Sequence, residues 1–151
     1  MPVVIQDRAP TRIAYLPHRG PYNQIGAAFK RLYAWAIPRG LARDGLGVAV
    51  FLDDVRAVAP EALRSEAGLT VGPKVTGDDE VAVRELPGGR HAMLLFAGPY
   101  PGLSAAWSEL SGWLAASSEK AADAPGFEIY LNDPYDTAPE DLLTELYRPL
   151  K

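Results

Sequence analysis

Two stretches of the chain carry apolar side chains at the helical period. From Tyr22 to about Pro38 they fall at positions 25, 28, 29, 32, 35 and 36; from Tyr100 to about Ser117 they fall at 103, 106, 107, 110, 113 and 114. Each predicted helix follows a short apolar run that reads as a strand, "TRIAYLPH" in one case and "GRHAMLLF" in the other. The same tripeptide, Gly20-Pro21-Tyr22 and Gly98-Pro99-Tyr100, joins strand to helix in both. Glycine permits the sharp turn, and proline suits a first helical turn because its missing N–H would go unpaired there. The tripeptide is therefore a corner, and its repetition marks a duplication.

The duplication extends along the chain. A shift of 78 places Arg12, Ala14 and Leu16 on Arg90, Ala92 and Leu94, and Phe29, Leu32 and Trp35 on Trp107, Leu110 and Trp113. After one inserted residue a shift of 79 places Gly47, Phe51, Leu52 and Asp54 on Gly126, Tyr130, Leu131 and Asp133. The strands "VAVFL" and "FEIYL", two turns and the final strands "LRSEAGLTV" and "LLTELYRPL" complete each copy. Extra leading strands are predicted at Val3–Asp7 and Glu80–Leu86, with "GPKVTGDD" as the connection. The pattern predicts an α+β domain over residues 1–151, built as a tandem β-α-β-β repeat (about 1–73 and 80–151) with pseudo-twofold symmetry. It would have an antiparallel sheet and two long helices.

Strand alternation assigns faces. Ala14, Leu16, Ala92 and Leu94 match between copies, as expected where each must pack a helix, whereas Ile13, Tyr15, His91 and Met93 differ in kind. Phe127, Ile129 and Leu131 share one face and Tyr130 stands on the other, as Phe51 does in the first copy. Leu32, Leu110, Phe29 and Trp107 are expected in the core. In the last strand Glu145 and Tyr147 alternate with Thr144 and Leu146, so neither face is cleanly apolar.

Composition narrows the function classes. With 48% hydrophobic and 23% charged residues the chain reads as globular, and without cysteine it has neither disulfides nor thiolate metal sites. A formal charge of −4 argues against direct nucleic-acid binding, which needs clustered Lys and Arg. The start "MPVVIQDRAP" lacks the features of a signal peptide, and the uncharged stretch from His91 to Ser108 is broken by proline and glycine. Neither membrane insertion nor export is expected, and the reading is cytoplasmic. His18 and His91 are not repeat counterparts and have no third partner at ligand spacing. No metal site is predicted, and both are expected at the surface or capped. No nucleophile elbow, P-loop or dinucleotide fingerprint is present. No cofactor is predicted.

The doubled unit, the Gly-Pro-Tyr helix entry, "FEIYLND" and the terminal "TELYRPL" resemble the GyrI-like family over roughly Val3 to Leu150. The family comprises small-molecule-binding modules, also found as effector domains of AraC-type and MerR-type multidrug regulators of transcription. The resemblance implies a ligand groove between the repeats, in which a glutamate on the last strand meets cationic drugs among aromatic rings. The matching residue is Glu145, with Tyr147 on the same face; the repeat counterpart of Glu145 is Glu66. Phe51 and Tyr130, which oppose the apolar strand face, and Tyr15, Met93 and Trp113 complete the expected ligand-binding set. No helix-turn-helix domain is legible. Three functions follow as expectations: a stand-alone binder of a hydrophobic or cationic small molecule, monomeric or weakly dimeric; a hydrolase of a cyclopropane-bearing toxin with Glu145 as its acid–base residue; or a protein-binding inhibitor of DNA gyrase.

Overall fold

The computed structural model describes residues 2–151, and the fold is α+β. Its elements are β1 (Val3–Arg8), β2 (Thr11–Arg19), α1 (Gly26–Ala36), β3 (Gly47–Phe51), β4 (Arg64–Thr70), β5 (Ala82–Leu86), β6 (Gly89–Ala97), α2 (Leu103–Ala116), β7 (Gly126–Tyr130) and β8 (Leu143–Pro149). Short 3₁₀ turns lead into both helices, at Tyr22–Gln24 and Tyr100–Gly102, as the two prolines require. Both helices are shorter than the periodic stretches, because those turns take up their starts and a further turn, Ile37–Arg39, closes the first.

The chain divides into two compact units. One unit is continuous, Pro10–Pro87, with strands in the order β3-β4-β2-β5; the other joins the residues through Ala9 to Gly88–Lys151, with strands in the order β1-β6-β8-β7. Neighbours within each are antiparallel. These units are not the repeats cut at 1–73 and 80–151, since each copy's leading strand sits with the other copy's β-α-β-β run. β1 pairs with β6, Val3 opposite Leu94, and β5 pairs with β2, Thr11 opposite Leu86. The chemistry of the joints explains the exchange. A residue before proline is held extended, so Ala9 before Pro10 and Leu86 before Pro87 carry the strand onward.

Each sheet packs one helix on one face. In the continuous unit Ala14, Leu16, Leu32, Trp35, Ala36, Leu69 and Val81 form the core; in the other, Ala92, Leu94, Ala106, Leu110, Leu146 and Leu150 do. The residues that match between copies are thus the ones beneath the helices. α1 has 11 residues and would be marginal alone, so burial of Ala28, Leu32, Trp35 and Ala36 holds it. Phe29 and Trp107, expected in the core, are only partly buried. The corners behave as expected: Gly20 and Gly98 adopt φ of 129° and 147°, and their N–H groups donate to Leu63 and Leu142 carbonyls at 2.8 and 2.9 Å. Among the described residues no helix is long and apolar enough to cross a membrane.

Candidate functional site

In the unit built from β1, β6, β8 and β7, the face away from α2 is set by register. Met93 and Phe127 both stand opposite Tyr147, Ile129 stands opposite Glu145, and Gln6 stands opposite His91. Directly opposed residues share a face, so these side chains converge. β8 lies between β6 and β7, and Glu145 is therefore not on an edge strand. Tyr147 is 1% exposed. Its ring stacks on Phe127 at 5.0 Å between centroids and 20° between planes. The His91 ring meets both edge-on, at 5.7 and 5.9 Å.

The Tyr147 hydroxyl is the hub of this face. It donates to Glu145 Oε1 at 3.0 Å and accepts from Arg8 Nη1 at 2.8 Å and from Gln6 Nε2 at 3.4 Å. The Arg8 guanidinium carbon lies 4.3 Å from the Tyr147 ring centroid and 6.0 Å from that of Phe127. Burial pushes the phenol up to about 12, so Tyr147 stays protonated and serves as a hydrogen-bonding surface and not as a base. Burial pushes His91 below the ordinary imidazole value. Its Nδ1 lies 2.8 Å from the Gly89 carbonyl, and its buried Nε2 has no hydrogen-bond partner among the described residues. His91 is 1% exposed and not at the surface, because it packs edge-on against long-range partners that strand alternation does not reveal, while the Gly89 carbonyl meets its Nδ1 as the capped alternative expected. His18 is half-buried beside the Pro21 carbonyl.

The continuous unit carries a sparser version. Glu66, on β4, is 9% exposed and pairs with Arg84 Nη2. The Arg84 guanidinium lies 5.2 Å from the Tyr15 ring centroid. Where the first site has Tyr147, this one has Gly68, directly opposite Tyr15.

Of the residues read from the sequence, Glu145, Tyr147 and Met93 come together in one unit, and Glu66 and Tyr15 in the other. Three stand elsewhere. Phe51 packs 4.8 Å from the corner residue Tyr22, Tyr130 packs 5.5 Å from its counterpart Tyr100, and Trp113 packs into the core under α2. Tyr130 belongs to a separate polar cluster on the helix side. Its hydroxyl donates to Glu128 Oε1 at 2.7 Å, and Trp107 Nε1 donates to Glu128 Oε2 at 2.6 Å. Glu128 is 3% exposed, and burial raises its carboxyl above the ordinary range against both hydrogen bonds.

Sequence reasoning missed Arg8, Gln6, His91 and Phe127 around Glu145, and Arg84 beside Glu66. The arginines come from leading strands whose partners the pattern did not identify. Two surface depressions lie on the continuous unit, one of about 350 Å³ lined by Gly40, Asp44, Thr70 and neighbours, one of about 330 Å³ lined by Pro17, His18, Arg64 and neighbours. Neither combines a carboxylate with an aromatic ring, so the Glu145–Tyr147 face is the better candidate for binding an organic molecule.

The chain is thus a duplicated α+β domain with an acidic side chain set among rings on the helix-free face of one unit. The whole chain, residues 1–151, matches the GyrI-like small molecule binding domain and belongs to that family. A protein named DNA gyrase inhibitor in Edwardsiella piscicida is 33% identical over 157 residues, covering 100% of this chain and 99% of its own. The fold is also that of the EcmrR C-terminal domain, with a TM-score of 0.80 at 12% identity over 99% of this chain and 97% of that one. Within the longer EcmrR chain of its DNA complex the match spans 57%. SAV2435, solved bound to tetraphenylphosphonium, has a TM-score of 0.67 at 18% identity over 100% of this chain and 94% of that one.

Proposed function

We propose that this small-molecule-binding domain takes a hydrophobic organic cation on the Glu145–Tyr147 face, in the cytoplasm and without a cofactor. The observation that carries the reading is the seat of Arg8: a cation already rests 4.3 Å over the Tyr147 ring, one hydroxyl away from the Glu145 carboxylate. Rings attract a cation within about 6 Å through their quadrupoles. Phe127, Met93 and Ile129 supply apolar area beside it, and Glu145 supplies the compensating charge. The tetraphenylphosphonium seen on SAV2435 is a ligand of this class.

Isothermal titration with tetraphenylphosphonium tests the reading. Glu145→Gln should weaken binding by about tenfold, on the order of 1.4 kcal/mol, while leaving a neutral triphenyl compound unaffected. Equal binding of the cation by both proteins would remove Glu145 from the site. A second reading draws on the gyrase-inhibitor relative, which the match covers almost end to end. There the domain acts on gyrase itself, and a supercoiling assay with purified gyrase decides it.

A further inference from the structure

We infer that Arg8 determines which ligands this site accepts: its guanidinium holds the cation position over Tyr147, and a cationic ligand enters by displacing it. This rests on the ligand reading above and sharpens it.

The hydroxyl of Tyr147 has one proton and two lone pairs, and Glu145, Arg8 and Gln6 use all three. A ligand therefore cannot add itself to the Tyr147 hydroxyl; it must take a place that is filled. Charge leads to the same conclusion. The negative charge of Glu145 is matched through Tyr147 by the positive charge of Arg8, so a second cation gains little attraction until the first withdraws. Arg8 is the last residue of β1 and is partly exposed, so the exchange takes place at the end of a strand.

The continuous unit repeats the arrangement by another route. Arg84 pairs with Glu66 and lies over Tyr15. The two arginines are not repeat counterparts, since the 78-residue shift aligns Arg8 with Leu86 and Gln6 with Arg84. Duplication alone does not produce the pattern. Each unit has placed its own arginine by a ring, from a different strand position, linked to the glutamate directly in one unit and through the Tyr147 hydroxyl in the other. Such an occupant acts as a threshold. Small hydrated cations bring nothing that Arg8 lacks, whereas a cation carrying several rings withdraws its own apolar area from water when it takes the place of Arg8 by the Tyr147 and Phe127 rings.

Titration of tetraphenylphosphonium into Arg8→Gln, Arg8→Lys and wild-type protein, each checked for folding by circular dichroism, tests this. Arg8→Gln should bind on the order of tenfold more tightly, Arg8→Lys should gain less because it retains a cation, and adding Glu145→Gln should cancel the gain. Wild-type binding that Glu145→Gln weakens but Arg8→Gln leaves unchanged overturns the role of Arg8 alone. Weaker binding by Arg8→Gln also overturns it, by making Arg8 a ligand contact. Absence of binding by both wild type and Arg8→Gln overturns the cation reading itself, and this inference with it.

Discussion

Both units place a glutamate at the same repeat position, linked to an arginine that lies by a ring, through the Tyr147 hydroxyl in one and directly in the other. What surrounds it differs. Around Glu145 stand Tyr147, Phe127 and His91; at the matching positions of the continuous unit stand Gly68, Val48 and Ile13. In one unit the helix-free face is an aromatic cluster with a hydroxyl hub. In the other it is small and aliphatic, and a side chain at Gly68 would meet Ile13 Cδ1 at 3.2 Å. Duplication conserved what the helices need and released the opposite face, and only one copy used that freedom to build a ring surface.

The helix side diverged as well, in a coupled way. Copy one has Phe29, Ala49 and Phe51 where copy two has Trp107, Glu128 and Tyr130. Each change adds a polar group, and the three groups bond to one another. Introducing the glutamate alone would bury an unsatisfied charge; the Trp and Tyr donors make it tolerable.

The largest expected effect separates the two helix-free faces. Tyr147→Ala removes a buried aromatic and should cost about 3–5 kcal/mol, the range for such truncations, read as a lower urea midpoint. A loss under about 1 kcal/mol would mean that the aromatic cluster is not a second core. Next comes the coupled triad. Trp107→Phe leaves Glu128 Oε2 without its donor and should cost about 1–3 kcal/mol at neutral pH. Converting all three residues to Phe, Ala and Phe should recover most of that loss. The single-variant penalty should also shrink in acid. The folded carboxyl titrates above its unfolded value, so the cost of burying its charge is present above that raised value and is relieved as pH falls through it.

A smaller effect concerns His91. Its folded value lies below the unfolded 6.5, through burial first and the charge of Arg8 after it, while the Gly89 carbonyl and Asp7 oppose. The unfolded chain therefore takes up a proton that the folded one resists. Stability should be level above pH 6.5 and fall below it, and His91→Ile, which copies the continuous unit, should flatten that part of the melting-temperature profile. The smallest effect is expected for Gly68→Ala. The tight contact with Ile13 opposes the entropic gain of about 0.4–1 kcal/mol from losing a glycine, leaving denaturant stability near wild type. A large loss would show that the aliphatic face is as closely packed as the aromatic one.

Much of the fold was legible because two copies had to solve the same packing problem: Ala14 and Ala92, Leu16 and Leu94, Leu32 and Leu110 match since each meets a helix. Alternation assigned Glu145 and Tyr147 to one face correctly for the same reason. It could not say which strand lies beside which, so β1 and β5 were left without partners, and Arg8 and Arg84 were missed with them. His91 and Phe127 were missed because their contacts with Tyr147 cross strands far apart in sequence. The Glu128 cluster did have a signal, the joint change of three positions between copies, which only a pairwise reading of those differences would expose.

The exchanged leading strands also set an order of events as the chain is made. Pro10–Pro87 holds every strand of its unit in one continuous run and can close as soon as it is complete. β1 has no partner until β6 has been synthesised, and its apolar residues Val4 and Ile5 stay half-open even in the finished sheet. β1, which precedes its partner by about eighty residues, is thus among the last segments protected, which pulse-labelled hydrogen exchange during refolding would register as late protection of residues 3–8 relative to 64–70. An unpaired apolar strand invites aggregation unless charges flank it. Asp7 and Arg8 supply them, so the arginine that rests on Tyr147 in the folded unit first serves as a gatekeeper for a strand waiting to be paired.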